Sequence, residues 1–433
     1  MAQERQLPES SEQALFDLIV VGAGAAGIMA AIRAAENGKR VLLLEKLPRI
    51  AAKLKATGGG RCNLTNTLDN ERFMKSFGRE GRFMTTALEG FDHHALTAFF
   101  HSIGVETHAP DGFRIFPITH SSLTIIRALE KRMEALNIEV YCHSRIDSIL
   151  HDTERVYGVR SAERHFHAPN IVISTGGKGY PMLGTEGDGY SLAESVGHTI
   201  TPLYPAMMPL KAKERWVTDC RADTIPGVQL IVDLKKYRKL KATGDLIFTR
   251  DGIRGPVVLD FSREITPLLA TMNEVPLKMN LTGGMNEEEV RIHFKKILAS
   301  DPHRNTLELV RTLLPESLSR VLCRLSDIDP SLGFNRQPGR NRDALIRLLA
   351  WTPLTITGHD GFSKAMITRG GISLREIDPK TMQSRKLEGL YFCGEVMNLD
   401  GPCGGYNLQW SFASGYLAGE LRTDHNSPSS EKL

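Results

Sequence analysis

The sequence predicts an α/β protein: a Rossmann-type dinucleotide-binding domain built from both ends of the chain, with a part-β, part-helical domain inserted between them. Three observations lead there. Residues 16–46, FDLIVVGAGAAGIMAAIRAAENGKRVLLLEK, read as strand, glycine turn, helix, strand and terminal acid. Glycine-dense segments of the same character return near the C-terminus, at residues 368–371 and 394–405. Between about residues 201 and 354 these signatures thin out, and Pro202, Pro205 and Pro209 mark the change.

Taken in order, residues 1–15 alternate in charge without an apolar core, which predicts a loose tail and not a signal peptide. Residues 17–21 form an apolar strand. Gly22, Gly24 and Gly27 then give GxGxxG where the pattern turns helical. Gly22 permits the tight turn, Gly24 lets backbone approach a pyrophosphate, and Gly27 lets helix and strand pack closely. Ala23, Ala25 and Ala26 fill the turn, and the helix N-terminus behind it offers N–H groups and positive dipole charge. Gly38 stands where a C-cap belongs, and residues 40–44 form the second strand. Glu45 ends that strand eighteen residues after Gly27, where a carboxylate can accept from ribose hydroxyls. An acid there favours the unphosphorylated adenosine ribose of NAD or FAD.

The next stretch, LPRIAAKLKATGGGRCNLTN, carries Gly58, Gly59 and Gly60 in a row, a poor core and a wasteful linker. It predicts backbone laid against a cofactor, with Lys53 and Arg61 offering charge and Asn63 an amide. Five histidines lie between residues 93 and 120, but their spacing fits no tight ligand set, so no metal site is predicted. Residues 92–103 and 122–136 read as helices, and residues 138–142, 146–150 and 156–159 as a β-meander. A strand at 170–174 ends in Thr175-Gly176-Gly177, and a helix starts near Tyr190.

In the insertion, residues 228–232, 245–249 and 257–261 read as strands. Asn286 with Glu289 makes a capping box, and helices follow around 307–314 and 318–325. Residues 372–377 and 389–392 read as strands of the returning domain. The latter runs into Gly394-Glu395, and Gly404-Gly405-Tyr406-Asn407 opens a helix of small residues, a second anion or dipole site. The predicted domains are a tail at 1–15, the dinucleotide domain at 16–200 and 355–425, the insertion at 201–354, and a tail at 426–433.

Composition narrows the function. At 433 residues with 41% hydrophobic and 24% charged residues, the chain suits two or three globular domains. A net charge of +4 is too small to argue by itself for nucleic acid. No apolar run reaches the ~18 residues of a spanning helix. Cys62, Cys142, Cys220, Cys323, Cys393 and Cys403 are scattered without a CxxC pair, which predicts a reducing cytoplasm, no zinc site and no disulfide-reductase chemistry.

The motifs GAGAAG, TGGGRCNLTN, STGGKGYP with TEGDGY, FTRDGIRGPV, TRGGISLREIDPKTMQS and GEVMNLDGPCGGYNLQW together resemble, in order, the bacterial HI0933-like (BaiN-like) FAD-dependent oxidoreductases over residues 16–420. The resemblance implies FAD, a Rossmann-type domain from both chain ends, and an inserted domain of β-barrel and helices. It implies pyrophosphate at Gly22, Ala23, Gly24, Ala25, Ala26 and Gly27, and adenosine ribose at Glu45 beside Lys46. Lys53, Thr57, Gly58, Gly59, Gly60, Arg61, Cys62 and Asn63 would follow the cofactor toward the flavin. Ile146 would touch the adenine, with Thr175, Gly176 and Gly177 passing the same half. Gly394 and Glu395 would meet the ribityl or phosphate region, and Gly404 with the N–H groups of Gly405, Tyr406, Asn407 and Leu408 would face flavin N1 and O2. The wording TRGG and RIAAKL departs from the commonest family pattern without touching a glycine turn.

The resemblance implies several chemistries. The first is reduction of a conjugated C=C bond of a small unsaturated substrate by NAD(P)H, which would bind transiently because no second GxGxxG is present. Such a reduction needs a donor for the developing oxyanion and a proton for the other carbon, and our reading assigns Arg61 to the charge and Tyr180 to the proton, with Cys62 and Tyr406 as rival acids. The second is reduction of uracil in ribosomal RNA, drawing on Lys235, Lys236, Arg238, Lys239 and Lys241. Oxidation of a small amine completes the set, and a flavin-loaded redox sensor or scaffold is the non-enzymatic alternative.

Overall fold

The computed structural model describes residues 16–422, so the tails expected at 1–15 and 426–433 lie outside the described residues. The chain divides into two units, residues 1–203 with 370–433, and residues 204–369.

The first unit is built on a five-stranded parallel sheet in the order Leu390–Phe392, Ile171–Ile173, Leu18–Val21, Val41–Leu44, Glu139–Tyr141. Ile19 pairs with both Ile171 and Leu42, and Ile171 pairs with Leu390. The central strands are buried on both faces, which is why they read as unbroken apolar runs. The first and last segments of the chain thus share one sheet. Residues 138–142 do not open the meander, because Val140 pairs with Leu43 and adds Glu139–Tyr141 to this sheet's edge. The meander consists of Ser148–His151, Val156–Arg160 and His165–His167. The expected strand at 372–377 is a 3₁₀ turn, Leu374–Glu376, entered through Ile372, which bridges singly to Ile200 and Met397.

The glycine-turn helix, Ala25–Glu36, lies against the C-terminal helix, Tyr406–Gly419. Their small residues dictate the contact. A Cβ on Gly415 would stand 2.2 Å from the Ala26 carbonyl oxygen, and one on Gly419 would stand 2.4 Å from that of Ala30. Only glycine lets the two backbones approach this closely.

The second unit holds a closed six-stranded barrel. Around it run Leu210–Ala212, Gly252–Arg254, Lys241–Phe248, Thr224–Val232, Val275–Asn280 and Thr352–Gly358, the last pairing back to the first. Alternate residues point inward: Val228, Leu230 and Val232, then Val275, Leu277 and Met279, are all at most 1% exposed. Residues 355–358, assigned from sequence to the dinucleotide domain, belong here because Thr352–Gly358 closes the barrel. Residues 257–261 are not a strand but the start of the helix Pro256–Met272. Pro256 at its first position and the buried Val257, Val258, Phe261, Ile265 and Leu268 decide for the helical period. Capping boxes at Asn286/Glu289 and Asn305/Glu308 start the helices Glu287–Ser300 and Thr306–Val310.

Candidate functional site

The candidate site lies in the first unit, where the glycine-rich segments meet at the ends of the parallel strands. Gly22 has φ +102°, and a Cβ there would stand 2.8 Å from the Ser174 carbonyl oxygen. A Cβ on Gly27 would stand 2.0 Å from the Gly22 carbonyl oxygen and 2.4 Å from Ser174 Oγ. Gly24 differs: a Cβ there would meet nothing within 4 Å. Its side faces an open cradle in front of a helix N-terminus with no side-chain cap and no acid in the first turn. Such an end carries unsatisfied N–H groups and positive dipole charge. Ser174 Oγ donates to the carbonyls of Val21 and Gly22, at 3.0 and 2.8 Å, and locks the turn to the neighbouring strand.

Glu45 sits at the rim of this turn. Its carboxylate accepts from Ala23 N–H at 3.0 Å and Leu47 N–H at 2.9 Å, so its position is fixed while further lone pairs remain. Lys46 is committed differently. With Arg145 it forms an ion-pair cluster on Glu186 and Asp188, with Lys46 Nζ 2.7 Å from Glu186. Ile146 is buried in the loop before Ser148–His151 and not on a strand.

Residues 51–66 join the turn to the C-terminal segment. Ala51 N–H donates to the Ala23 carbonyl at 2.8 Å, and Lys53 Nζ meets Glu395 Oε2 at 2.7 Å. Thr57 Oγ1 bonds back to the Lys53 carbonyl at 3.1 Å. Gly58, Gly59 and Gly60 follow with φ of +61°, +67° and +87°. Three left-handed residues in a row would cost about 1–2 kcal/mol each in any other residue, which accounts for GGG. Asn63 and Asn66 then brace the second glycine pair. Asn63 donates to the carbonyls of Thr65 (2.9 Å) and Ile115 (3.2 Å) and accepts from Gly405 N–H at 2.9 Å. Asn66 Nδ2 donates to the Gly404 carbonyl at 2.9 Å.

Gly405, at φ +85°, precedes the helix Tyr406–Gly419, whose N-terminus also has no side-chain cap and no acid in its first turn. Of the four N–H groups expected to face a flavin, that of Gly405 is taken by Asn63. Those of Tyr406, Asn407 and Leu408 form the helix's first turn. The Asn407 side chain holds the preceding loop, exchanging hydrogen bonds with Gly401 N–H and carbonyl at 2.7 and 2.8 Å. Gly394, at φ +77°, is tied to the same helix by its N–H on Ser414 Oγ at 2.9 Å.

The acid candidates separate. Cys62 is fully buried, and burial pushes its thiol up to about 12, so it packs without donating. The Tyr406 ring is buried among Phe73, Phe77 and Phe113, with centroids 5.0 to 6.4 Å away. Arg61 is exposed, its Nε 3.3 Å from the Gly58 carbonyl and its guanidinium 5.7 Å above the Phe116 ring. Tyr180 is half-buried at φ +57°, at the start of the 3₁₀ turn Pro181–Leu183, and Thr185 Oγ1 donates to its carbonyl at 3.2 Å. No hydrogen bond or cation–ring contact among the described residues joins Arg61 to Tyr180. Thr175 has a buried Oγ1 without a hydrogen-bond partner, beside Gly176 at φ +73° and Gly177.

Sequence reasoning missed Ser174, Asn66 and Ser414. The first two stood next to or inside quoted motifs, and a polar residue beside a glycine turn was the available signal. Among the described residues no three His, Cys, Asp or Glu side chains converge as metal ligands. No helix among them is long and apolar enough to cross a membrane.

An open cradle at Gly24, two uncapped helix N-termini without acids, three left-handed glycines and an orphaned Thr175 hydroxyl fit a dinucleotide of the FAD kind. The family and sequence relatives agree. The profile of the HI0933-like protein Rossmann domain matches residues 16–421. A 3-dehydro-bile acid Δ(4,6)-reductase of Clostridium scindens is 32% identical over 415 residues, 94% of this chain and 98% of the relative. A ribosomal RNA dihydrouridine synthase of Escherichia coli is 28% identical over 406 residues, 94% of this chain and 97% of the relative. A solved 3-ketosteroid-Δ4-(5α)-dehydrogenase of Rhodococcus jostii RHA1 has 16% identity and a TM-score of 0.49 over 95% of this chain and 96% of that one.

Proposed function

The chain belongs to the HI0933-like family and is an FAD-dependent oxidoreductase, and from that premise we propose that it reduces a C=C bond conjugated to a carbonyl with electrons from NAD(P)H. The observation that carries this reading is the tying of two uncapped helix N-termini through one segment, by Lys53 to Glu395 and by Asn63 to Gly405. Bound FAD supplies the hydride chemistry. The N–H groups behind Gly24 would hold its pyrophosphate, and Glu45 the adenosine ribose. The first turn of Tyr406–Gly419 would place positive dipole charge at the electron-rich end of the flavin.

The remaining roles fall to side chains. Hydride addition to the β-carbon of an enone leaves negative charge on its carbonyl oxygen, and Arg61, exposed and in no ion pair with an acid among the described residues, is assigned to meet it. Tyr180 is assigned to deliver the proton to the α-carbon. The names of the two relatives support the reaction class. One is named a Δ(4,6)-reductase of a 3-dehydro-bile acid and the other a synthase of dihydrouridine, and both names denote addition of two hydrogens across a C=C bond.

The test is anaerobic incubation of the FAD-loaded protein with NADH or NADPH and a panel of conjugated acceptors, including steroid dienones and uridine oligonucleotides. A product heavier by two hydrogens, with matching nicotinamide oxidation, is expected from one of them. A reduced flavin that transfers to none of the panel overturns the proposal.

A further inference from the structure

We propose that His108 and His120 form a two-imidazole site for a divalent transition metal of the Zn²⁺ and Ni²⁺ kind. Their Nε2 atoms face each other at 2.9 Å, with ring centroids 4.7 Å apart and ring planes at 77°. Twelve positions separate them in sequence, and only the fold brings them together.

The pair is held by two parts of one small sheet. Thr107–His108 pairs with Arg114–Pro117, which pairs in turn with Thr65–Asn66, and His108 stands opposite Phe116. Beyond the middle strand the chain turns back, closed by the His120 N–H on the Pro117 carbonyl at 2.9 Å. That turn puts His120 at φ +48°, a left-handed backbone uncommon outside glycine. Thr119 and Thr124 share a side-chain hydrogen bond of 2.8 Å, which ties the turn to the helix Ser122–Ala135.

Packing and hydrogen bonding explain the pair only in part. The His120 ring lies 5.6 Å from that of Phe116, which accounts for its place but not for the aim of its Nε2 at a second imidazole. A hydrogen bond between the two needs one Nε2 protonated and one bare, and at the exposed His120 it competes with water. A metal uses both lone pairs at once, with each ring's proton on Nδ1. Imidazole nitrogens about 2.0–2.1 Å from one ion stand about 2.9 Å apart at a right angle and about 3.3 Å apart at the tetrahedral angle. The observed 2.9 Å thus needs a shift of at most a few tenths of an ångström. Imidazole is a ligand suited to zinc, copper and nickel. The acids nearby in sequence are engaged, Glu106 by His101 at 3.4 Å and Asp111 by Arg114 at 2.6 Å, which leaves the rest of the shell to water. Arg61 and Arg114 lie over Phe116 at 5.7 and 5.9 Å. Asp111 balances the second, and the first is exposed, where solvent and salt screen its repulsion. The proposal concerns metal binding alone and stands apart from the reductase reading.

The experiment is isothermal titration of the FAD-loaded, untagged protein with ZnCl₂, NiCl₂ and MgCl₂, beside His108→Gln, His120→Asn and the variant combining both. Asparagine also tolerates the left-handed backbone, so His120→Asn removes the imidazole and spares the turn. FAD content and thermal midpoint check the fold of each. The wild type is expected to take up one more Zn²⁺ or Ni²⁺ per chain than the combined variant. Either single change should weaken that ion at least about tenfold, the loss that follows removal of even an outer-shell partner of a ligand. His93→Gln with His94→Gln, changing the other adjacent histidine pair, should leave it bound. A wild type that takes up no more Zn²⁺ than the combined variant overturns the proposal. So does loss of the ion in the His93 and His94 variant, or Mg²⁺ held as tightly as Zn²⁺, the mark of oxygen ligands.

Discussion

Two glycines three residues apart in the first turn are predicted to fail in opposite ways. Gly24→Val places a side chain where nothing stands within 4 Å, at φ −85° and ψ −173°, backbone any residue adopts. Its cost to the fold is that of a poorer N-cap, about 1 kcal/mol or less. It does fill the cradle in front of the helix N-terminus, so the protein is expected to purify folded and colourless. Its thermal midpoint should not rise when FAD is added, because it forgoes the ~2.7 kcal/mol that a ligand at a hundred times its Kd contributes. Gly27→Ala adds one methyl, but that methyl would stand 2.0 Å from the Gly22 carbonyl and 2.4 Å from Ser174 Oγ, both held in the sheet. Overpacking against backbone costs about 1–3 kcal/mol or more, so this variant should lose FAD through the fold itself. The assay is urea unfolding of apoprotein by circular dichroism, with visible absorbance for flavin content. A Gly24→Val protein carrying full FAD, or a Gly27→Ala apoprotein as stable as wild type, would refute the reasoning.

Three further outcomes follow from the same geometry. Asn63→Ala leaves the Gly405 N–H without its acceptor and takes a donor from the carbonyls of Thr65 and Ile115, so the apoprotein should lose about 1–3 kcal/mol in urea unfolding and FAD should dissociate faster by fluorescence. Arg61→Gln, on an exposed side chain, should leave folding and flavin reduction unchanged while slowing acceptor-dependent reoxidation by about 10²-fold in stopped flow. The acid side of stability should be shaped by His198, whose ring is buried with Nε2 2.8 Å from Ser384 Oγ and Nδ1 3.2 Å from Glu376. Burial holds its imidazole below the ordinary 6.5, so the unfolded chain takes up a proton first and stability falls as pH drops below that value. For Glu376, burial pushes upward, but bonds from Thr199 and Lys386 outweigh it and hold the carboxyl at about 2. Its contribution is present above 4.5 and lost as pH falls toward 2, and Glu376→Gln should flatten that limb in pH-dependent urea midpoints.

What the sequence made legible was whatever backbone geometry alone demands. Gly22, Gly27, Gly58, Gly59 and Gly60 occupy left-handed or close-contact positions that only glycine fills, so the turns could be read one residue at a time. The capping box at Asn286 is equally local. What stayed hidden depends on direction or partner. Residues 257–261 are apolar and partly β-branched, and only the register with Ile265 and Leu268 turns them into a helix. Asn63 could be seen as an amide near the cofactor loop, but not that it reaches across to the Gly405 N–H, a residue more than 300 positions away. Lys46 was expected beside the adenosine ribose, and nothing in the sequence signals that its ammonium also pairs with Glu186 and Asp188, about 140 residues on.

The central claim, a nicotinamide-fed reductase of a conjugated double bond, is tested most directly by double-mixing anaerobic stopped flow: the FAD-loaded protein meets NADH or NADPH first and a conjugated acceptor second. The account predicts rapid bleaching of the flavin in the first mix and acceptor-dependent return of colour in the second. Flavin that stays oxidised with both nucleotides but bleaches on mixing with an amine would contradict it and make the substrate the electron donor.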